Sequence, residues 1–148
     1  SWLMIYFGFT HCPDVCPEEI EKMVEAVKKV RNSIEGDETK IQTLFISIDP
    51  ERDTIDAVRE YVRDFSSDLI GLTGTVEQVT EVAKKYRVYF KAGAMDYEND
   101  YIVDHSIITY LVNPDGEFVD FYGKNLSVDQ LADSVKAQMR LYNARKRQ

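Results

Sequence analysis

An unbroken run of six apolar side chains, from Trp2 to Phe7, constrains the fold of this chain most strongly. A segment without a polar face has to be covered on both sides, which is typical of an interior strand in an α/β sheet. The run ends at Gly8 and leads into a polar turn that contains cysteine and proline. We therefore expect Trp2–Phe7 to be a central strand, with Trp2, Tyr6 and Phe7 packed in the core.

Strand and helix patterns alternate along the next eighty residues. The first amphipathic stripe predicts a helix that ends at Gly36, and its apolar members recur at three- and four-residue steps. These members are Ile20, Met23, Val24, Val27, Val30 and Ile34. Thr43–Ile48 predicts a second strand that stops before Asp49-Pro50, because proline withholds a ladder donor.

A second helix is predicted from Thr54 onward, followed by a short strand at Leu69–Leu72. Its apolar stripe consists of Ile55, Val58, Val62 and Phe65. The sequence Thr75-Val-Glu-Gln78 predicts a capping box for a third helix, whose inward residues would be Val79, Val82, Ala83 and Tyr86. A second capping box, Ser127-Val-Asp-Gln130, predicts the last helix.

The segment between the third helix and the last one predicts strands and turns. Val88–Phe90 is strand-like, and Lys91–Asp100 is expected to be a polar loop. Ile107–Val112 and Glu117–Phe121 flank Asn113-Pro-Asp-Gly116, which predicts an antiparallel hairpin because proline and glycine occupy turn positions.

This order of elements predicts an α/β fold of the thioredoxin-like class. Its central mixed sheet would have parallel first strands, right-handed crossovers and flanking helices, and it would finish with a hairpin and a helix. The chain has 148 residues and no internal repeat or linker, so residues 1–148 are expected to form a single domain.

Charge and hydropathy argue against two properties of this chain, nucleic-acid binding and a membrane-spanning segment. Eighteen basic and 26 acidic residues give a net charge of −8, which argues against a nucleic-acid partner. The longest apolar run is far shorter than the ~20 residues needed to cross a bilayer. Because Ser1 directly precedes a core strand, we expect that upstream sequence was removed, together with any membrane anchor it carried.

Both cysteines lie in the turn after the first strand, Thr10-His-Cys-Pro-Asp-Val-Cys-Pro17. Reactive groups and ligands of open α/β sheets gather beyond the carboxyl ends of the strands. Three residues separate Cys12 from Cys16, so the two sulfurs can share one metal ion or one disulfide in a helical or an irregular segment. The alternative is a pair of buried, unreactive cysteines, which the flanking prolines disfavour.

The two prolines leave two local geometries open. Pro17 at the first helical position would make Cys16 the cap, whereas Pro13 there would place both thiols in the first turn. Backbone N–H groups at a helix start favour thiolate over thiol, while Asp14 and the following glutamates oppose it.

The chain has two histidines, and they differ in their suitability as ligands. His11 adjoins Cys12, so its side chain leaves in another direction, as expected of a structural histidine. His105 precedes the predicted strand Ile107–Val112, which should lie beside the first strand. Two thiolates and one imidazole suit Cu(I), Cu(II) or Zn(II), and an open three-ligand site suits an ion that is handed on. A buried, hydrogen-bonded imidazole is the alternative for His105.

Four spaced segments resemble the Sco proteins, which are copper-binding assembly factors of cytochrome c oxidase. They are Tyr6-Phe-Gly-Phe-Thr-His-Cys-Pro-Asp-Val-Cys-Pro17, Phe45-Ile-Ser-Ile-Asp-Pro-Glu-Arg-Asp-Thr54, Gly71-Leu-Thr-Gly74 and Tyr101-Ile-Val-Asp-His105. The resemblance covers nearly the whole chain and is closest to the mitochondrial members. It implies a thioredoxin-like fold and one copper ion, Cu(I) or Cu(II), held by Cys12, Cys16 and His105.

The resemblance also implies partners and a location. The partners would be cytochrome c oxidase subunit II, whose dinuclear copper site receives copper or has its thiols reduced, and a small Cys-rich mitochondrial copper carrier as donor. The domain would face the intermembrane space, tethered to the mitochondrial inner membrane by an anchor outside this chain. Asp104 would orient the imidazole or cap a turn, and loop and cap chemistry is expected of Asp49, Glu51, Arg52 and Asp53.

An enzyme on the same fold is the alternative function, either a thiol-disulfide oxidoreductase or a thiol peroxidase. Oxidoreductases of this fold have two residues between their cysteines, not three, and present a proline where His105 lies. Thiol peroxidases place a threonine three residues before the reactive cysteine, whereas Thr10 is two before Cys12. We therefore expect a metallochaperone rather than an enzyme, although reduction of one protein partner stays open. Structural zinc is less favoured, because the ligand set is incomplete.

Overall fold

The computed structural model describes residues 1–10, 15–33, 40–86, 90–95, 101–105 and 108–146, with positions 15, 16, 90–95 and 101–105 described by their backbone. Seven strands and four helices lie within these ranges. In chain order they are β1 (Trp2–Gly8), α1 (Val15–Arg31), β2 (Ile41–Ser47), α2 (Ile55–Arg63), β3 (Ile70–Leu72), α3 (Val76–Lys85), β4 (Phe90–Met95), β5 (Tyr101–His105), β6 (Ile108–Val112), β7 (Phe118–Gly123) and α4 (Val128–Lys146).

The main sheet has five strands in the order β3-β2-β1-β6-β7. β1 pairs in parallel with β2, and β2 in parallel with β3. β6 runs antiparallel to β1, and β7 antiparallel to β6. The predicted mixed, thioredoxin-like sheet with a C-terminal hairpin and helix is confirmed, and β1 is its central strand.

The side chains of β1 alternate between two hydrophobic clusters, one on each face of the sheet. Trp2, Met4 and Tyr6 belong to the cluster that includes residues of α1, α2 and α4. Ile5 and Phe7 belong to the other cluster, with Val79 of α3 and Tyr110 of β6. The prediction that this strand is covered on both faces is therefore confirmed.

The predicted C-terminus of the first helix is wrong. α1 ends at Arg31, five residues before Gly36. The Ser33 amide and hydroxyl both donate to the Val30 carbonyl, so a serine supplies the terminal hydrogen bonds that a glycine was expected to support. Ile34 and Gly36 lie outside the described residues.

The helix starts follow from capping chemistry. Thr54 and Thr75 are the N-caps of α2 and α3, and the Thr75–Gln78 capping box is present. Ser127 and Gln130 exchange the same pair of bonds before α4. One apolar position is wrong: Ile55, the first residue of α2, is exposed, whereas Val58 and Val62 are buried as predicted.

The expectation of a polar loop over Lys91–Asp100 is wrong for residues 91–95. Residues 90–95 form β4, which pairs antiparallel with β5 in a separate two-stranded sheet. Backbone hydrogen bonds within a hairpin do not require an alternating apolar pattern, so its strands were not visible in the sequence. Residues 87–89 and 96–100 lie outside the described residues.

The hairpin β6–β7 is confirmed. Asn113 accepts hydrogen bonds from the amides of Asp115 and Glu117 through its side-chain oxygen. Gly116 closes the turn with φ +81°, a left-handed conformation that glycine adopts without strain.

Removal of a core side chain tests the packing of β6. Leu111 is 0% exposed in the first cluster, whereas Leu141 on α4 is 58% exposed. We expect Leu111→Ala to lower the free energy of unfolding by about 2–5 kcal/mol, because it leaves a cavity. Leu141→Ala should change it by less than about 0.5 kcal/mol. Urea denaturation of both variants checks this, and equal losses would contradict the assigned packing.

The buried phenol of Tyr122 predicts a loss of stability at high pH. Burial raises the pKa of Tyr122 to about 12, from 10.0. Because the folded-state pKa is raised, stability is fully present below pH 10 and falls as the pH rises through about 12. Tyr122→Phe should flatten this fall in urea titrations between these pH values. An unchanged slope would show that Tyr122 does not carry the effect.

Candidate metal centre

The carboxyl end of β1 is the edge of the sheet at which the predicted site residues are expected. Thr109 of β6 lies opposite Tyr6 of β1, so the start of β6 is beside the end of β1. His105, the last residue of β5, precedes β6 by three residues, which span at most ~11 Å. The predicted neighbourhood of β6 and β1 is confirmed.

Only some of the predicted ligand positions lie among the described residues. Cys12 and His11 lie outside the described residues. The backbone of Cys16 is in the first turn of α1, and the backbone of His105 pairs with Phe90. Asp104 pairs with Lys91 in the same hairpin. Among the residues whose side chains are described, no group of three His, Cys, Asp or Glu forms a metal site. The ligand set Cys12, Cys16 and His105 thus stays a prediction.

The geometry with Pro17 at the first helical position is wrong, because Val15 and Cys16 precede it within α1. The alternative with Pro13 at that position lies outside the described residues. The helix begins at Val15, so Cys16 is its second residue and Pro17 its third. Proline is tolerated there because the first four N–H groups of a helix have no intrahelical partner. Cys16 therefore lies in the helix turn where unbonded N–H groups favour a thiolate.

The charge of Glu19, one turn after Cys16, is compensated locally. Glu19 is buried and pairs with Lys22, with Nζ and Oε2 2.9 Å apart. Lys22 also donates to the carbonyl oxygens of Gly123 and Lys124, at 3.4 and 3.1 Å. The cation weakens the opposition to a thiolate that we expected of this glutamate, and it ties α1 to the end of β7.

A buried carboxylate, Asp53, connects the end of β1 to the loop after β2. Asp53 is 1% exposed. The Thr10 backbone N–H donates to Oδ2 at 3.0 Å, and the Thr10 hydroxyl donates to Oδ1 at 2.6 Å. The Ser47 hydroxyl donates to Oδ2 at 2.6 Å. Hydrogen bonds to a carboxylate are roughly twice as strong as neutral ones, so this contact is strong enough to order both segments.

Asp49 holds the loop that carries Asp53. Asp49 is 2% exposed, and its Oδ2 accepts a hydrogen bond from Arg52 Nε at 2.6 Å. Its backbone N–H donates to Ser47 Oγ at 3.1 Å, and its carbonyl accepts the Asp53 N–H at 2.8 Å. These bonds confirm the expected loop chemistry of Asp49, Arg52 and Asp53.

The contact between Thr10 and Asp53 was not predicted from the sequence. The two residues are 43 positions apart, and they meet because each follows one of two adjacent parallel strands. Since Thr10 follows β1 and Asp53 follows β2, the order of the strands in the sheet was the signal that could have predicted this contact. The Thr73 hydroxyl also donates to the Asp53 carbonyl at 3.1 Å, so the segment after β3 joins the same edge.

Comparison with known proteins decides the family. The family model described as SCO1/SenC matches residues 1–140. The chain belongs to the SCO1/SenC family. It is 54% identical over 142 residues to the human mitochondrial protein SCO1 homolog, covering 96% of this chain and 46% of the relative. This Sco chain therefore spans about half the length of that relative.

Two solved Sco structures share the fold and were determined with copper bound. The Arabidopsis thaliana ScoI structure is 47% identical, with a TM-score of 0.89 over 96% of this chain and 86% of that chain. The yeast Sco1 structure is 40% identical, with a TM-score of 0.85 over 95% of this chain and 76% of that chain. In the described part of this Sco chain, none of the helices has the length and apolar character to cross a membrane.

Loss of the Asp53 carboxylate should destabilise the fold. Asp53→Ala removes the acceptor of three hydrogen bonds in a buried site, so we expect a loss of about 2–4 kcal/mol in the free energy of unfolding. Asp56→Ala is the matched control, because Asp56 is 85% exposed and forms an ion pair with the exposed Arg59. That control should change stability by less than about 0.5 kcal/mol. Similar urea midpoints for both variants would contradict the network.

Proposed function

We propose that this Sco chain is a copper chaperone that carries one copper ion on Cys12, Cys16 and His105. Its recipient would be cytochrome c oxidase subunit II, in which it helps to assemble the dinuclear copper site. The observation that supports this most is the sheet topology. The end of β1 and the start of β6 lie at one edge, so the two thiols and the distant imidazole are within chain reach of each other. Copper in the Arabidopsis and yeast structures supports the choice of metal.

The donor set suits an ion that is held and then released. Two soft thiolates and one imidazole bind Cu(I) and also accept Cu(II), and three protein ligands leave a coordination position open. Thiolates of the recipient can enter that position before the chaperone's ligands leave. Copper is therefore the cargo, and it moves by ligand exchange.

The same two thiols give the site a second, redox reaction. Cys12 and Cys16 can transfer two electrons to a disulfide of the recipient, which becomes a dithiol while an S–S bond forms between them. Two copper ligands are then lost at once, so reduction of the partner and release of copper are coupled. The alternative enzyme function, thiol-disulfide exchange or peroxide reduction, would use these thiols without metal.

The proposed location follows the relatives. The human relative is named as mitochondrial. We place this domain in the intermembrane space, with an anchor in the inner membrane supplied by sequence outside this chain. A small Cys-rich copper carrier would be its donor.

The two histidines provide a matched test of the ligand set. The reduced protein is reconstituted with copper and examined by absorption spectroscopy and metal analysis, together with His105→Ala and His11→Ala. We expect one copper per wild-type chain and a thiolate-to-copper band. His105→Ala should weaken copper binding by about 10-fold or more and change the band, because an imidazole ligand is lost. His11→Ala should bind as the wild type does.

Two outcomes would contradict the proposal. If the band and stoichiometry survive His105→Ala unchanged, His105 is not a ligand. Rapid peroxide or disulfide turnover by the metal-free protein, together with poor copper retention, would favour the enzyme.

A further inference from the structure

We infer that Asp53 is a positioning residue for the copper and disulfide chemistry of the cysteine turn. It acts through the Thr10–Asp53 clamp, the two hydrogen bonds that the backbone N–H and the hydroxyl of Thr10 donate to the two carboxylate oxygens. This inference rests on the proposed function, because it takes Cys12 and Cys16 as the reacting pair.

The clamp fixes the chain two residues before Cys12. One hydrogen bond would restrain only a distance, but two bonds from one residue to both oxygens of one carboxylate also restrain its rotation. Gly8, two residues earlier, is held as well, since its carbonyl accepts the Ile48 N–H at 2.8 Å. The direction in which the chain leaves β1 toward Cys12 is thus set by β2 and its loop.

The other end of the cysteine segment is fixed by packing. Cys16 lies in the first turn of α1, and Ile20 and Met23 further along this helix are 0% exposed in the first cluster. The cysteine segment therefore runs between two restrained ends, Thr10 and α1. The distance between its two sulfurs depends on both ends, and the Thr10 end, which Asp53 holds by hydrogen bonds, lies closer in sequence to Cys12.

The acceptor of the clamp is itself held rigidly. The Asp53 N–H donates to the Asp49 carbonyl, and the next residue, Thr54, caps α2 by accepting the Ala57 N–H at 3.1 Å. Asp53 is therefore a fixed point between β2 and α2. A fixed acceptor is what a positioning role requires, because a mobile one would move with Thr10.

Two reactions of the cysteine pair should depend on this clamp. Copper retention needs both thiolates on one ion, and disulfide formation needs the same two sulfurs in contact. Loosening one end of the segment lowers the effective concentration of one thiol near the other thiol. The copper-binding equilibrium should therefore shift toward free copper, and the redox equilibrium should shift toward the dithiol.

Thr10→Val and Ser47→Ala form a matched pair for the test. Each removes one hydroxyl that donates to Asp53 at 2.6 Å, but only Thr10 leads into the cysteine segment. Ser47→Ala also loses the bond from the Asp49 N–H, so it is the larger structural perturbation. If the network only stabilised the fold, Ser47→Ala would therefore have a larger effect than Thr10→Val.

Two readouts are measured for both variants and the wild type. Competition with a chromophoric Cu(I) chelator gives copper affinity. Glutathione buffers give the equilibrium in which oxidised glutathione takes two electrons from the Cys12 and Cys16 thiols and becomes two reduced glutathiones. We expect Thr10→Val to weaken copper binding by about 10-fold and to lower the disulfide equilibrium constant several-fold. For Ser47→Ala, both values should stay within about twofold of the wild type. Thr10→Ser, which keeps the hydroxyl, should give wild-type values for both.

The outcomes separate this inference from the proposed function. If wild type binds copper and Thr10→Val matches Ser47→Ala in both readouts, the clamp has no positioning role and the copper function survives. If wild type binds no copper but Thr10→Val still shifts the disulfide equilibrium, the clamp survives and the copper function fails. Should Thr10→Val not fold, Asp53→Asn, which keeps one acceptor oxygen, replaces it in the comparison with Ser47→Ala.

Discussion

Burial of β1 on both faces is the constraint from which the rest of the architecture follows. Its side chains alternate between two hydrophobic clusters, so helices must cover each face and strands must flank each edge. With β2 parallel on one side and β6 antiparallel on the other, the end of β1 meets the end of one strand and the start of another. That meeting point is where the cysteine segment begins, and residues from distant parts of the chain converge there for topological reasons alone.

The polar edge of the sheet is stabilised by a different kind of interaction. Buried carboxylates are unfavourable unless donors surround them. The described donors to Asp53 are the Thr10 N–H, the Thr10 hydroxyl and the Ser47 hydroxyl, and Asp49 forms an ion pair with Arg52. These donors come from the end of β2 and from segments that follow β1 and β2, so the network depends on those strands being neighbours. The hydrophobic clusters therefore determine which strands are neighbours, and the carboxylates then determine how the connecting loops are placed.

The sequence predicted the features that depend on short-range chemistry. The capping boxes at Thr75 and Ser127 and the turn at Gly116 lie within a few residues of their partners, and all three are present. The predicted end of α1 was wrong: the helix ends at Arg31, where the Ser33 hydroxyl donates to the Val30 carbonyl. β4 was missed because its pairing within a hairpin leaves no apolar pattern. The Thr10–Asp53 contact spans 43 positions, so only strand order could have revealed it. The ligand set, with Cys12 outside the described residues, rests on motif and topology.

A site that carries copper as cargo has to satisfy two opposing requirements. It must hold its ligands close enough together to retain the ion, yet it must leave the ion accessible to the incoming thiolates of a partner. Rigid packing over the ion would meet the first requirement and defeat the second. In this Sco chain the restraints that the structure describes, at Thr10 and along α1, act on the segments that flank the cysteines. Under the proposed function, positioning from the flanks would leave the coordination sphere to the three proposed ligands and the partner. A buried aspartate remote in sequence would then influence how readily copper is released.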